Sequence, residues 1–287
     1  MGDLIKIGVT GSEGFIGSYL INAINKLGID YESFDRNKYN LLNTESLEPF
    51  VKDKDIIFHL AGKNKGSNFE LIGNNVLCTS NILEAIKMYN RNCKVIFSSS
   101  FQVYKPTKVI VPVSESYSLE PKSAYGLSKM FAEKIIEFYS KNYGIKSIIV
   151  RMSNVYGLGC KPYYNSVIST FIDLLHKNNP LSIHGSGKQA RDFININDVI
   201  DAFIKLINYD NFSNFEIFNI CSGKLTSLNE IVDILKVIKP NIKVENIKVD
   251  NEENEYLLGD ATKIKNKLNW IPKINLKEGL KEMIEKW

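Results

Sequence analysis

The stretch Thr10-Gly11-Ser12-Glu13-Gly14-Phe15-Ile16-Gly17 decides the predicted fold of this chain. An apolar run over residues 4–9 precedes it, and apolar residues at helical spacing follow it as far as Leu27. A buried strand that ends in a glycine-rich turn and continues as a helix is typical of a dinucleotide-binding unit. Glycine clusters are often ordinary turns, but here Asp35 also stands at the end of the next predicted strand. The combination predicts that this turn binds a dinucleotide.

Each glycine of the turn has a different predicted task. Gly11 permits the tight turn, Gly14 lets the backbone approach a pyrophosphate, and Gly17 lets the helix pack against the strand. The N-terminus of the helix adds N–H donors and a partial positive charge. Phe15 and Ile16, in its first turn, therefore belong to the predicted cofactor site.

The two residues after the second predicted strand leave the choice between NAD and NADP open. Asp35 would accept hydrogen bonds from the adenosine ribose, which favours NAD because a 2′-phosphate would meet a carboxylate. Arg36 could instead pair with that phosphate, or it could be an ordinary solvated charge. The sequence therefore allows either cofactor.

Strands and helices alternate through the first 150 residues. The predicted strands are 4–9, 31–34, 55–60, 94–97 and 145–150, and the predicted helices are 14–27, 75–89 and 123–142. Such alternation predicts an α/β fold with a doubly wound parallel sheet, the Rossmann fold. We expect a dinucleotide-binding domain over residues 1–155, to which segments after residue 190 return. Residues 156–287 are expected to form mainly a smaller C-terminal substrate-binding portion.

A second motif, Tyr125-Gly126-Leu127-Ser128-Lys129, supplies candidate catalytic residues. Tyr125 and Lys129 stand one helical turn apart, so we expect the ammonium to lower the pKa of the phenol from about 10 toward neutrality. Tyr125 would then act as a general acid or base. This spacing occurs on many surface helices, but here it follows a serine-rich strand end on the ligand-binding side of the predicted sheet. Ser100, at that strand end, is expected to hydrogen-bond a substrate oxygen or, alternatively, to cap a turn.

The composition excludes several classes of protein. The chain has 287 residues, a formal net charge of +4 and interspersed Lys and Glu, which does not indicate a nucleic-acid binder but would suit an anionic small substrate. No run of 18 apolar residues and no cleavable leader is present, so we expect a cytoplasmic protein without membrane association. The four cysteines lack paired spacing and there are only three histidines, so neither a disulfide framework nor a metal site is predicted.

Together these motifs resemble the extended short-chain dehydrogenase/reductase family, in the branch that modifies nucleotide sugars. The resemblance covers nearly the whole chain. Beyond the glycine turn and the Ser100, Tyr125 and Lys129 set, it includes residues 59–62, 75–76, 151–157, 191–199, 259–263, 268–272 and 278–280. It implies an NAD(P) cofactor, a nucleotide-sugar substrate and a homodimer, for which the helices predicted at 75–89 and 123–142 are the candidate interface.

The resemblance also implies roles for single residues. Those expected to line the cofactor, besides Tyr125 and Lys129, are Leu60, Ala61, Gly62 and Asn75. Asn154 would contact the substrate, and Arg191 would bind the pyrophosphate of its nucleotide, where a planar bidentate donor suits phosphate oxygens. Arg191 could alternatively form a structural pair with Asp192 or Asp198.

The resemblance leaves two reactions open. Dehydratases of this branch carry an Asp-Glu pair after the active-site Ser or Thr, whereas this chain has Phe101-Gln102, so dehydration is not expected. A 4-keto-6-deoxysugar reductase is favoured by the short chain, by the compressed segment 35–43 and by Arg36. The alternative is an NAD-dependent nucleotide-sugar 4-epimerase. A non-catalytic dinucleotide-binding regulator is a further alternative, against which the intact Ser100, Tyr125 and Lys129 argue.

Overall fold

The computed structural model describes residues 5–164, 166–249 and 255–287, and the chain divides into two compact units. The first comprises Met1–Lys105, Ser118–Met152 and Ile200–Phe218, and the second comprises Pro106–Tyr117, Ser153–Val199 and Asn219–Trp287. The predicted boundary lies at residue 155, with segments after residue 190 returning to the first domain. In the structure residues 200–218 belong to the first unit, and residues 106–117 belong to the second. Leu4, the first residue of the predicted opening strand, lies outside the described residues.

Strands and α-helices alternate along most of the chain. The strands are β1 (Lys6–Thr10), β2 (Asp30–Ser33), β3 (Ile56–His59), β4 (Lys94–Ser100), β5 (Pro112–Val113), β6 (Ser147–Met152), β7 (Asn154–Tyr156), β8 (Leu181–His184), β9 (Ala190–Asn195), β10 (Phe215–Ile220), β11 (Leu225–Ser227), β12 (Val244–Ile247) and β13 (Leu258–Gly259). The α-helices are α1 (Phe15–Lys26), α2 (Glu48–Val51), α3 (Asn68–Tyr89), α4 (Ala124–Tyr143), α5 (Val167–His176), α6 (Ile196–Ile207), α7 (Leu228–Ile238), α8 (Thr262–Leu268) and α9 (Leu276–Lys286). Two short 3₁₀ helices cover Glu45–Leu47 and Phe101–Val103.

The first unit is built on a six-stranded sheet with the strand order β10-β6-β4-β3-β1-β2. The pairs β1–β2, β1–β3, β3–β4 and β4–β6 are parallel. Strand β1 lies between β2 and β3, so the chain reverses its direction of winding there and opens a crevice at the carboxyl ends of β1 and β3. Ligands of doubly wound sheets bind at such a point. The predicted α/β fold with a parallel, Rossmann-type sheet is confirmed.

The core of this unit forms where α3 and α4 pack together over one face of the sheet. It includes Ile82 and Ile86 of α3, Phe97 of β4, and Ala132 and Ile136 of α4. Burial of an aliphatic side chain of this kind contributes about 1.5–3 kcal/mol relative to leaving it in water. The packing therefore holds α4 firmly against the sheet.

Helix α3 begins at Asn68, seven residues before the start predicted at residue 75. Its N-cap is Ser67, whose side chain accepts a hydrogen bond from the backbone N–H of Glu70, while the Glu70 carboxylate accepts one from the backbone N–H of Ser67. This capping box satisfies two backbone donors that the helix leaves open. Asn75 consequently lies two turns inside the helix instead of at its start.

The second unit contains a three-stranded sheet in the order β11-β9-β7 and two strand pairs, β12–β8 and β13–β5. The buried carboxylate of Asp192 in β9 accepts hydrogen bonds from the backbone N–H groups of Ser222, Gly223 and Gly259, and from the Ser222 hydroxyl. These bonds connect three distant parts of the sequence. Among the described residues of the chain, no helix is long and apolar enough to cross a membrane.

Candidate active site

The glycine turn lies at the carboxyl end of β1 and touches the segment that follows β3. Gly11 has φ +70°, and a Cβ on it would lie 2.7 Å from the backbone nitrogen of Ala61. A Cβ on Gly17 would lie 2.1 Å from the carbonyl oxygen of Gly11. No side chain fits at either position. Both glycines are thus required by the close approach of backbone segments, and the positive φ of Gly11 fits the tight turn predicted for it.

The first turn of α1 presents an N-terminus without a side-chain cap. Gly14 is its N-cap residue, with an extended backbone and no side chain that could cap the helix. Phe15, Ile16 and Gly17 form the first turn, in which backbone N–H groups have no intrahelical acceptor. A helix N-terminus of this kind suits the pyrophosphate of a dinucleotide.

A cavity of about 350 Å³ opens beside the glycine turn, entirely within the first unit. The predicted cofactor residues that line it are Gly11, Gly14, Arg36, Leu60, Ala61, Gly62 and Asn75. Phe34, Leu41 and Leu42 add an apolar wall. An apolar slot next to an open helix N-terminus fits the adenosine and pyrophosphate of NAD or NADP. The predicted residues outside this lining are Phe15, Ile16, Gly17, Asp35, Tyr125 and Lys129.

The residues after β2 carry charges of both signs. One carboxylate oxygen of Asp35 accepts a hydrogen bond from the backbone N–H of Asn37. The Arg36 guanidinium lies 3.4 Å from the carboxylate of Glu13, and each of the two side chains is 83% exposed. Glu13 belongs to the glycine turn and also lines the cavity, so the cation at residue 36 faces an acidic neighbour that the sequence analysis did not weigh.

Buried hydrogen bonds connect the ends of β1 and β3 to α3. Nδ1 of His59 lies 2.8 Å from the hydroxyl of Thr10, and Nε2 lies 3.2 Å from the hydroxyl of Thr79. Because the Thr79 hydroxyl donates to the carbonyl oxygen of Asn75, it accepts from Nε2–H, and Nδ1 accepts from Thr10. Burial, together with the charge of Lys129, lowers the pKa of His59 to about 3. His59 is therefore a neutral structural residue at the carboxyl end of β3.

Asn75 connects the segment after β3 to α4, the helix that carries Tyr125. Its side-chain oxygen accepts a hydrogen bond from the backbone N–H of Lys63, and its nitrogen donates to the Lys63 carbonyl and to the Ser128 hydroxyl. Ser128 in turn donates to the carbonyl oxygen of Tyr125. A Cβ on Gly62 would lie 3.4 Å both from the Asn75 side chain and from Nζ of Lys129. The structure thus brings Gly62, Asn75 and Lys129 together.

Ser100 ends β4 and caps the short helix Phe101–Val103. Its hydroxyl oxygen accepts a hydrogen bond from the backbone N–H of Gln102, which is the turn-capping role considered above as the alternative. The hydroxyl hydrogen can still be donated to a substrate oxygen. Next to Tyr125, a Cβ on Gly126 would lie 2.2 Å from the Gln102 carbonyl oxygen, so the start of α4 contacts this turn directly.

Tyr125 and Lys129 share one face of α4, but the electrostatic relation between them differs from the prediction. Nζ of Lys129 donates to the carbonyl oxygen of Ser98 at 2.7 Å and lies 5.8 Å from the centroid of the Tyr125 ring. Loss of hydration raises the pKa of the Tyr125 phenol to about 12 and lowers that of the Lys129 ammonium to about 8. The predicted lowering of the phenol pKa is therefore wrong, because the effect of burial outweighs that of the neighbouring charge.

Asn154 and Arg191 belong to the second unit. Nδ2 of Asn154 donates to the carbonyl oxygen of Asp192. Nη1 of Arg191 donates to the carbonyl oxygens of Ala190 and Glu255, and burial lowers its pKa. The carboxylate of Asp192 binds the backbone of residues 222, 223 and 259, as described above.

Comparisons with known proteins identify the family. Residues 7–221 match the model of the NAD-dependent epimerase/dehydratase family. The chain belongs to this family. A protein of Methanocaldococcus jannaschii that is provisionally named UDP-glucose 4-epimerase is 36% identical to this chain over 299 residues, and the match covers 96% of each chain. The predicted resemblance to the nucleotide-sugar branch is confirmed.

Two solved structures of 4-epimerases match this family member over almost its full length. UDP-glucose 4-epimerase of Thermotoga maritima, with UDP-glucose, has a TM-score of 0.88 and 28% identity, and the match covers 98% of both chains. UDP-glucuronic acid 4-epimerase of Bacillus cereus, in complex with UDP-glucuronic acid and NAD, has a TM-score of 0.85 and 27% identity, again over 98% of both chains.

The sequence did not reveal every residue that supports the candidate site of this epimerase/dehydratase family member. Some residues fix the start of α4 without lining the cavity. Ser123 caps α4 and donates its hydroxyl hydrogen to the side-chain oxygen of Gln102. The Ser and the turn after β4 were both visible in the sequence, but their pairing joins positions 21 residues apart. In residues 5–164, 166–249 and 255–287, no group of three or more His, Cys, Asp and Glu side chains could hold a metal ion.

Proposed function

We propose that this protein is an NAD-dependent nucleotide-sugar 4-epimerase, with a UDP-sugar as its substrate. The observation that carries the proposal is the likeness to two solved UDP-sugar 4-epimerases over 98% of the chain. It favours the epimerase over the 4-keto-6-deoxysugar reductase that the sequence features had favoured. The same branch includes dehydratases, but Phe101 is a buried hydrocarbon and Gln102 is a neutral amide bonded to Ser123. Neither residue supplies the acid that eliminates water.

In this proposal the residues of the first unit have distinct tasks. When bound, NAD would supply reversible hydride transfer at C4 of the sugar. Tyr125 takes the proton from the C4 hydroxyl as the carbonyl forms and returns it on reduction. Lys129 holds a positive charge behind the phenol ring, which favours the phenolate that this proton transfer requires. Ser100 donates a hydrogen bond to the same oxygen.

The residues proposed to bind the nucleotide of the substrate belong to the second unit. We propose that Asn154 contacts the sugar nucleotide and that Arg191 binds its pyrophosphate. Arg191 is exposed on β9, and a planar bidentate donor suits phosphate oxygens, which supports this role. The arginine is also fixed in direction by its two carbonyl acceptors.

NAD is the proposed cofactor, in preference to NADP. Asp35, in the segment after β2, suits the two ribose hydroxyls, and Glu13 places a carboxylate on the cavity itself. Both would repel a 2′-phosphate. Arg36 is the observation that favours NADP, but its guanidinium lies 3.4 Å from the carboxylate of Glu13.

A homodimer and a cytoplasmic location complete the proposal. Large apolar side chains are exposed on the two helices that pack together, and they include Leu77 and Met88 of α3 and Phe131 and Phe138 of α4. Their spacings place each pair on one helix face. A second copy of the chain would cover such a patch.

The decisive experiment follows cofactor and sugar separately. The purified protein is incubated with NAD and UDP-glucose or UDP-glucuronic acid, and with NADH or NADPH and a nucleotide-linked 4-keto sugar. Interconversion of C4 epimers without net consumption of cofactor is the expected result. Stoichiometric consumption of NADH or NADPH would replace the proposal with the ketoreductase, and dinucleotide binding without either reaction would replace it with the non-catalytic regulator.

The variant Tyr125→Phe tests the proton-transfer role. It should lower kcat by at least about 10²-fold, the lower end of what general acid–base catalysis contributes, with NAD binding nearly intact. Tyr89→Phe is the matched control, since Tyr89 ends α3 and packs on the core. Near-normal turnover of Tyr125→Phe would contradict the role.

A further inference from the structure

A buried ion pair lies one turn beyond Lys129 on α4. Glu133 and Arg151 are 3% and 2% exposed. Nε of Arg151 donates to Oε1 of Glu133 at 3.0 Å, and Nη2 donates to Oε2 at 2.7 Å. This two-pronged geometry is the strongest form of an arginine–carboxylate contact. Removal of either partner would leave a costly unpaired charge, so each side chain holds the other in place.

Two hydroxyl groups extend the hydrogen bonding of the ion pair. The Ser99 hydroxyl of β4 donates to Oε1 of Glu133. Ser99 is also the strand partner of Arg151 in β6. Nη1 of Arg151 donates to the hydroxyl of Tyr104 at 3.0 Å. The catalytic helix is thereby fixed to the ends of β4 and β6 next to Ser100.

The charge of Glu133 acts on Lys129. The ammonium is buried, donates to the Ser98 carbonyl and lies 4.6 Å from the centroid of the Phe97 ring. Burial lowers its pKa, and Glu133 opposes that change. The other titratable groups around it are the Tyr125 phenol on the same helix, His59 on β3, which is neutral, and Arg151 on β6, which is bound to Glu133.

We propose that Glu133 is a positioning residue for the proton-transfer pair: held by Arg151 and Ser99, it keeps Lys129 in its ammonium form and holds the start of α4 in register with the end of β4. The inference rests on the proposed function, in which Tyr125 and Lys129 move the proton. In its ammonium form Lys129 places a positive charge 5.8 Å from the centroid of the Tyr125 ring. That charge is what stabilises a phenolate there.

The test measures the titration of Lys129 directly in the ligand-free protein. Protein labelled with ¹³C-lysine is titrated by NMR, and Lys129→Arg identifies the signal by its loss. Glu133→Gln keeps the shape of the side chain and removes its charge, and it should lower the apparent pKa of Lys129 by about one pH unit. Ser99→Ala is the matched control: it removes a contact to Glu133 but keeps both charges, so the pKa should stay unchanged. The basic limb of the pH profile of kcat should move down with Glu133→Gln, with KM little changed.

An unchanged Lys129 pKa in folded Glu133→Gln would overturn the proposal. If that variant does not fold, the double variant Glu133→Gln with Arg151→Met buries neither charge and should still show the lowered pKa, because the carboxylate is absent. Failure of both variants to fold would overturn the proposal in favour of a purely structural ion pair. The NMR measurement uses neither substrate nor cofactor, so its result stands apart from a failure of the proposed function.

Discussion

His59 should make the stability of the folded protein depend on pH in a defined window. In the unfolded chain a histidine has a pKa of about 6.5, whereas the pKa of buried His59 is about 3. Between these values the unfolded chain binds a proton that the folded protein does not. Stability from this residue is therefore complete above pH 6.5 and is lost as the pH falls toward 3.

The magnitude follows from the shift. Each pH unit within the window is worth about 1.4 kcal/mol, so acidification from pH 7 to pH 5 should remove about 2 kcal/mol through His59 alone. The measurement is urea unfolding at both pH values for the wild type and for His59→Gln, which cannot be protonated. Carboxylates contribute to both proteins and cancel in the comparison. The wild type should lose about 2 kcal/mol more than the variant.

Equal losses in the two proteins would refute this reasoning. A direct check follows the His59 ring by NMR of the imidazole nitrogens, with His59→Gln identifying its signals by their loss. The His59 ring should stay neutral through the window between pH 6.5 and its pKa of about 3, with its proton on Nε2. Protonation of His59 near pH 6.5 in the folded protein would show that the buried position does not exclude the charge.

Three further outcomes are expected. Gly17→Ala should destabilise the protein by about 3 kcal/mol and abolish NAD binding, because its Cβ would overlap the Gly11 carbonyl oxygen. Gly73→Ala, at an open position in α3, should instead stabilise the protein by about 0.5–1 kcal/mol. Thermal unfolding with and without NAD checks both variants, and equal effects would be inconsistent with the described turn. Glu13→Gln should tighten NADP binding relative to NAD by about two- to fivefold in calorimetry, and an unchanged ratio would show that this carboxylate does not act on cofactor choice. Phe138→Asp should convert a dimer to a monomer in light scattering, whereas Val237→Asp, at an exposed position of α7, should not. A dimer that survives Phe138→Asp would place the interface elsewhere.

The parts of the fold that sequence predicted well depend on local patterns. The glycine turn, the strand before it and the Tyr125–Lys129 spacing each lie within a few residues, and steric and periodic constraints act at that range. The early start of α3 also had a local signal, since Ser67 and Glu70 form the spacing of a capping box.

The remaining features depend on contacts between distant parts of the chain. Residues 106–117 join the second unit, where β5 pairs with β13, and nothing within residues 106–117 indicates that partner. The predicted direction of the pKa shift of Tyr125 is wrong for a related reason. The sequence shows the charge of Lys129 one turn away but not the burial that dominates both groups. Likewise, Arg191 finds an acceptor at Glu255, remote from the two aspartates considered for it.

Three consecutive serines at the end of β4 serve three different partners. Ser98 donates to the carbonyl oxygen of His59, Ser99 donates to Glu133, and Ser100 receives the N–H of Gln102. Side chains of a strand alternate between its faces, so a shift of the triplet by one residue would turn each serine to the opposite face and exchange every partner. Identical residues are therefore not interchangeable here, and alignments or libraries that allow a gap within this triplet would join proteins with differently wired sites.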